Sequence, residues 1–190
     1  MQTPVPYGAG VFHLGLLMEP AIIQVYTGPG KGKTTAAIGL IIRALGQGFK
    51  VLLVRFLKPY APPGNELQIL EKLKGLDVVT AGLGGIEARD RPQELVANVT
   101  ATFDQVLPMI YGGYYDLVVL DEFNPVLDKG YLPLERGLQL LDERPAGVEL
   151  VLTGRNAPEE VLQRAGLVTV MEDWRHPFSS GLPARPGIEF

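Results

Sequence analysis

TGPGKGKTTAA, Thr27 to Ala37, follows directly on the apolar run Ile22-Ile23-Gln24-Val25-Tyr26 and turns helix-like within a few residues. A strand, a glycine-rich loop and a Lys-Thr pair opening a helix is the layout of a phosphate-binding loop. Glycines at 28, 30 and 32 let backbone N–H groups converge on one anion without interference from Cβ atoms, and the helix N-terminus adds positive potential. Lys33 is placed to reach terminal phosphates and the Thr34 hydroxyl to ligate Mg²⁺. The strict pattern G-x-x-x-x-G-K-[ST] asks for glycine where this chain has Thr27. The expected nucleotide cradle is Gly28, Pro29, Gly30, Lys31, Gly32, Lys33, Thr34 and Thr35. A plain glycine-rich turn before an amphipathic helix is the alternative, and the flanking elements count against it.

Such a site needs a carboxylate at the end of a neighbouring apolar strand. Leu117-Val118-Val119-Leu120-Asp121-Glu122 supplies two, at the carboxyl edge where ligands bind in open α/β sheets. Either acid could hold Mg²⁺ directly or through water. An acidic pair after a strand is by itself an ordinary loop start; combined with the loop at 28–34 it marks a nucleotide site. No Asn-Lys-x-Asp guanine motif and no arginine-rich lid are present. The residues themselves lead to an Mg²⁺-nucleotide-binding enzyme and leave its chemistry open.

The same rhythm extends along the chain. Strands are expected at Ile22–Tyr26, Val51–Phe56, Asp77–Thr80, Leu117–Leu120, Val148–Leu152 and Val168–Met171. Most are continuous apolar runs, which suits strands covered on both faces. Helices are expected at Thr34–Leu45, Asn65–Leu73, Pro92–Ile110, Leu134–Leu141 and Pro158–Ala165. Strand and helix alternating this often imply an α/β fold of the P-loop NTPase-like, RecA-like kind: three layers, with a mainly parallel central sheet flanked by helices. Residues 1–20 read as an N-terminal arm, 21–173 as the nucleotide-binding domain and 174–190 as a tail packed on it.

Composition narrows the class. The chain of 190 residues is 46% apolar and 20% charged, with a net charge of -4 and no cysteine. Disulfides and thiolate metal sites are excluded, and the cytosol is the default compartment. The absence of a basic stripe argues against nucleic acid, and no apolar run reaches membrane-spanning length. No Lys or Arg precedes Lys31, so the charged start of a signal peptide is missing.

Beyond the loop, particular stretches recur in order: Arg43-Ala44-x-Gly46-x-Gly48, VRFLK at 54–58, DLVVLDEFN at 116–124, GYLPLE at 130–135, ERP at 143–145, VLTGRNAP at 151–158 and HPFSSGLPARPGIEF at 176–190. With TGPGKGKTTAA they make the chain from about Ile22 onward resemble the ATP:corrinoid adenosyltransferases. That resemblance implies transfer of the 5′-deoxyadenosyl group of ATP to the Co(I) of a corrinoid, cob(I)alamin, cobinamide or cobyrinic acid a,c-diamide, with release of triphosphate. It assigns catalytic roles to Lys33, Thr34 and Glu122, and Mg²⁺ to Thr34 and Glu122 with Asp121 beside them. Arg43 and Arg155 become candidate nucleotide contacts. Lys58 and Asn124 are further candidates at the ligand edge. It also implies a homodimer and a reduced flavoprotein as electron donor. The competing readings are a P-loop ATP-dependent kinase or hydrolase of another small molecule, and a nucleotide-binding module without catalysis.

One departure stands out. The family carries a Phe-x-Trp pair soon after the third strand, to crowd the lower face of the corrinoid; here Gly82-Leu83-Gly84-Gly85-Ile86 holds no aromatic. Phe56, Trp174 and Phe178 are possible substitutes, each read first as core or tail packing. His13 and His176 are read as loop residues, not cobalt ligands, and Met109 and Met171 as core.

Overall fold

The computed structural model describes residues 21–59, 66–84, 90–176 and the positions 181, 183, 185, 187 and 188. The N-terminal arm, His13, Phe178, the Gly85-Ile86 end of the glycine stretch and the last two residues lie outside them.

Twelve elements alternate along the described chain: β1 (Ile23–Thr27), α1 (Lys33–Gly46), β2 (Val51–Pro59), α2 (Leu67–Leu70), β3 (Leu76–Gly82), α3 (Pro92–Tyr111), β4 (Leu117–Asp121), α4 (Phe123–Asp128), α5 (Leu134–Glu143), β5 (Glu149–Thr153), α6 (Glu159–Leu162) and β6 (Leu167–Val170). The strands form one parallel sheet in the order β3-β2-β4-β5-β1-β6. This is the expected three-layer architecture, with one correction. The acid-bearing strand β4 is not the neighbour of the loop strand β1, because β5 is inserted between them.

Strand alternation divides the core in two. Leu52, Val54, Phe56, Val118, Leu120, Leu150 and Leu152 face α3, α4, α5 and α6. Val51, Leu53, Leu117, Val119 and Val151 face α1 and α2. Helix α1 turns Ala37, Ile41 and Ala44 inward at spacings of four and three, which brings one stripe onto the sheet. Truncating the fully buried Ile41 to alanine would cost about 2–5 kcal/mol.

At the C-terminal edge the apolar rows of the α1 face end in polar residues. Arg55 of β2 is in register with Asp121 of β4 and with Thr80 of β3, and Tyr26 of β1 with Thr153 of β5. This polar row lies under the N-terminus of α1 and positions the site.

Other boundaries shift. α2 is a single turn, shorter than Asn65–Leu73 implied, and α6 covers only the start of its predicted span. α4 has no counterpart among the expected helices, since six residues with Pro125 inside carry too little periodicity. β6 departs most: Leu167, Val168 and Val170 are exposed, so this apolar run is an edge strand and not one covered on both faces. Phe56 is core, as expected, whereas Trp174 is 94% exposed and packs as neither core nor tail.

Candidate active site

The loop is built against the chain that leaves β6. Thr27 O accepts from Met171 N at 2.8 Å, and Gly30 N donates to Met171 O at 2.7 Å. A Cβ on Gly28 would lie 2.4 Å from Met171 O, and one on Gly30 2.7 Å from the same atom, so only glycine permits this approach. Gly30 therefore spends its amide on Met171, and the Lys31 amide donates to Asp173 Oδ1 at 3.2 Å. Free of those contacts are the amides of the first turn of α1, which by helix geometry lack intrahelical acceptors.

Lys33 opens α1 and is buried. Its ammonium donates into the arch of the loop, to Gly28 O at 2.8 Å and to Gly30 O. Burial, then the nearby Arg155 guanidinium, push its pKa below the ordinary lysine value, while Glu122 and Asp173 oppose the shift. A poorly solvated ammonium gains when an anion arrives, which is the condition for electrostatic preorganisation.

Beside it runs a chain of polar contacts across three elements. The Thr34 hydroxyl donates to Asp121 Oδ1 at 2.9 Å, and the Thr153 hydroxyl donates to the same oxygen at 2.6 Å. Glu122 N in turn donates to Thr153 Oγ1 at 3.0 Å. Thr153 thus bridges the gap that the insertion of β5 opens between loop strand and acid strand. Asp121 is 1% exposed, and burial raises its pKa against the hydrogen bonds from Thr153 and Thr34 and the charge of Lys58. Glu122 follows with φ 59°, a left-handed backbone rarely held by a non-glycine residue, and its carboxylate pairs with Lys58 Nζ at 3.3 Å. Leu57 and Asn156 share that conformation, so all three such residues among those described stand at this edge of the sheet.

The site fits Mg²⁺ on its own atoms. Asp121 Oδ2 is buried without a partner among the described residues, and Thr34, whose proton goes to Asp121, keeps lone pairs free. Among the described residues no group of three or more His, Cys, Asp or Glu could cage a metal. Mg²⁺ takes one or two protein ligands and completes its shell with phosphate oxygens and water.

Of the remaining candidates, Arg155 is brought to the loop, with Nη2 donating to Pro29 O at 2.8 Å. Lys58 reaches Glu122. Arg43 is not brought in: it stands in the last turn of α1, ten residues beyond Lys33 and about 15 Å along the axis. Asn124 ties elements together, its amide donating to Gly154 O at 3.1 Å and Tyr26 O at 3.4 Å. Sequence reasoning missed Thr153 and Asp173. The polar residue ending the apolar run of β5 was the available signal for the first.

Among the described residues no helix is long and apolar enough to cross a membrane. The family model described as ATP:corrinoid adenosyltransferase BtuR/CobO/CobP matches residues 19–190. The chain is similar to the corrinoid adenosyltransferase of Pseudomonas aeruginosa, with 36% identity covering 90% of this chain and 85% of the relative. It is 37% identical to that of a Sinorhizobium species, covering 90% and 81%, and 35% identical to that of Escherichia coli K12, covering 90% and 87%.

Proposed function

The chain belongs to the ATP:corrinoid adenosyltransferase family, and from that premise we propose how its own residues carry the reaction. The protein transfers the 5′-deoxyadenosyl group of ATP to the Co(I) of a corrinoid. The cobalt electron pair forms the bond to C5′, and the C5′–O bond breaks with its pair going to triphosphate. No side chain has to act as nucleophile or general base, so the protein's work is to hold the leaving group and absorb its charge.

The buried Lys33 ammonium inside the loop is the observation that carries this reading. It lies where the Gly28–Thr35 loop would hold the polyphosphate, and the first-turn amides of α1 converge on the same place. Thr34 and Glu122, with Asp121 fixed between Thr34 and Thr153, would hold Mg²⁺, which when bound supplies Lewis-acid neutralisation of phosphate oxygens. Arg155, seated on the Pro29 carbonyl, and Lys58, paired with Glu122, add positive charge at the mouth. Cytoplasmic location, a homodimer and electron delivery by a reduced flavoprotein belong to the same proposal.

An anaerobic assay with ATP, Mg²⁺ and chemically reduced cobalamin or cobinamide tests it. The visible spectrum should pass to that of an adenosylated corrinoid as inorganic triphosphate appears in equal amount. ADP or orthophosphate without a cobalt–carbon product would assign the chain to the kinase or hydrolase reading.

A further inference from the structure

The turn from Thr153 to Ala157, which leaves β5, is fastened on two sides. Toward the loop strand, Gly154 N donates to Tyr26 O at 3.1 Å and Ala157 N to Thr27 Oγ1 at 3.3 Å. Arg155 Nη2 donates to Pro29 O on the same side. Toward α4, the Asn124 amide donates to Gly154 O at 3.1 Å, and Asn156 Nδ2 to Asp128 Oδ2 at 3.1 Å. Asn124 also reaches Tyr26 O at 3.4 Å, so one side chain ties α4, the turn and the end of β1. The fit is close. Gly154 holds φ 124°, and a Cβ on it would run into Pro125 Cδ.

Asn124 is fully buried, and its Oδ1 has no partner among the described residues. A buried amide with its acceptor unmet is costly, and an apolar side chain of the same volume would avoid that cost. What the asparagine supplies in exchange is a donor group aimed at the end of β1 and at the turn. Thr27 belongs to the same arrangement: it stands where the strict phosphate-loop pattern has glycine, and its hydroxyl accepts from Ala157 N. The residue this bracket carries is Arg155, whose side chain is exposed and led to the loop carbonyl. Its charge is felt at the Lys33 ammonium, where, behind burial, it is the second cause of the lowered pKa. Two cations at one end of the glycine loop repel each other until an anion meets both.

We propose that Asn124 is a positioning residue for triphosphate: by holding Gly154 against the end of β1 it sets the Arg155 guanidinium beside the Gly28–Thr35 loop, where it meets the phosphates together with Lys33. This rests on the assignment of the triphosphate to that loop. Asn124 touches no substrate atom itself. Without its amide donor the turn keeps the bonds made by Gly154 N and Ala157 N, but the peptide between Gly154 and Arg155 is no longer held. Guanidinium–phosphate bonds depend on a planar fork presented at the right angle, so a loosened Arg155 binds less well.

The test is a double-mutant cycle read by calorimetric titration with inorganic triphosphate and Mg²⁺, each variant being checked for folding by circular dichroism. Arg155→Ala should weaken triphosphate roughly 10- to 100-fold, the range of one hydrogen bond to a charged group. Asn124→Leu, similar in volume and without donors, should weaken it about fivefold or more in the unaltered background. With Arg155 already replaced by alanine, the same change should cost less than about twofold, because it acts through that residue. A role confined to stability would lower Tm and leave affinity within about twofold in both backgrounds. A separate role in the site would weaken binding equally in both. Either result overturns the proposal, as does Arg155→Ala binding within about twofold of the unaltered protein. Should Asn124→Leu fail to fold, Asn124→Ala goes through the same cycle, and Arg155→Ala, at an exposed position, keeps the proposal open to refutation on its own. Lys33→Ala separates the two levels: normal triphosphate binding there defeats the loop assignment itself, whereas loss there with an additive Asn124–Arg155 cycle defeats only the role of Asn124.

Discussion

Replacing Thr153 by valine keeps the shape of a fully buried side chain and removes one hydroxyl. That hydroxyl donates to Asp121 Oδ1 at 2.6 Å and accepts from Glu122 N at 3.0 Å. The first bond runs to a buried carboxylate, worth about 1.5–3 kcal/mol, and the second to a backbone amide, worth about 0.5–1.5 kcal/mol. Valine leaves that amide unpaired and Asp121 short of a donor, so the expected loss is about 2–4 kcal/mol. For a domain of this size that lowers Tm by about 5–15 °C. Thr153→Ser keeps both bonds and sheds one methyl, at about 1 kcal/mol. Thermal unfolding of the two variants side by side isolates the hydroxyl, and Mg²⁺ titration of activity shows whether the acid pair has lost its place. If Thr153→Val melts within 2 °C of Thr153→Ser with the same Mg²⁺ requirement, the bridge between loop and acid strand has no energetic role and the argument from it fails.

Lys33→Ala should cut adenosyl transfer by orders of magnitude, since developing phosphate charge is left uncompensated; turnover near that of the unaltered protein would refute the loop's role. Glu122→Ala should raise the Mg²⁺ needed for half-maximal rate, while Glu122→Gly, free of the left-handed strain, should be more resistant to urea than Glu122→Ala by about 1 kcal/mol; the reverse order would contradict the strain. Gly28→Ala and Gly30→Ala should each displace the loop from Met171 and weaken ATP at least tenfold, measured by calorimetry; unchanged affinity would mean the Met171 contact is dispensable. At the opposite edge of the sheet, Tyr115 donates to Asp77 Oδ2 at 2.8 Å, and burial together with that carboxylate pushes its pKa up to about 12. The unfolded chain releases this proton near pH 10 and the folded one near 12, so stability should fall with rising pH across that window. Tyr115→Phe should flatten the fall, and denaturant midpoints between pH 9 and 12 check it.

Much of this was legible in the residues because the fold obeys local rules. The loop Thr27–Thr35 declares itself by glycine spacing and by what flanks it, and the acids Asp121 and Glu122 by ending an apolar run. Strand order left no such trace. Nothing between Tyr26 and Leu117 says that β5 will enter the sheet between their strands, since that is decided by where long connections pack. Thr153 was hidden for the same reason, because a threonine closing a strand acquires meaning only once β5 is known to lie between loop and acids. β6 shows the limit from the other side: Leu167, Val168 and Val170 read as a covered strand by composition, yet the chain has no further strand to cover that edge among its described residues. Arg43 shows how spacing misleads, since membership of the loop helix is not proximity to the loop when ten residues of rise intervene.

A crystal structure of the protein with ATP and Mg²⁺ tests the central claim most directly. The account requires the three phosphates to lie over the Gly28–Thr35 turn, with Lys33 Nζ moved from the Gly28 carbonyl to a phosphate oxygen and Mg²⁺ on the Thr34 hydroxyl. Triphosphate bound elsewhere, with Lys33 still on the loop carbonyls, would contradict it.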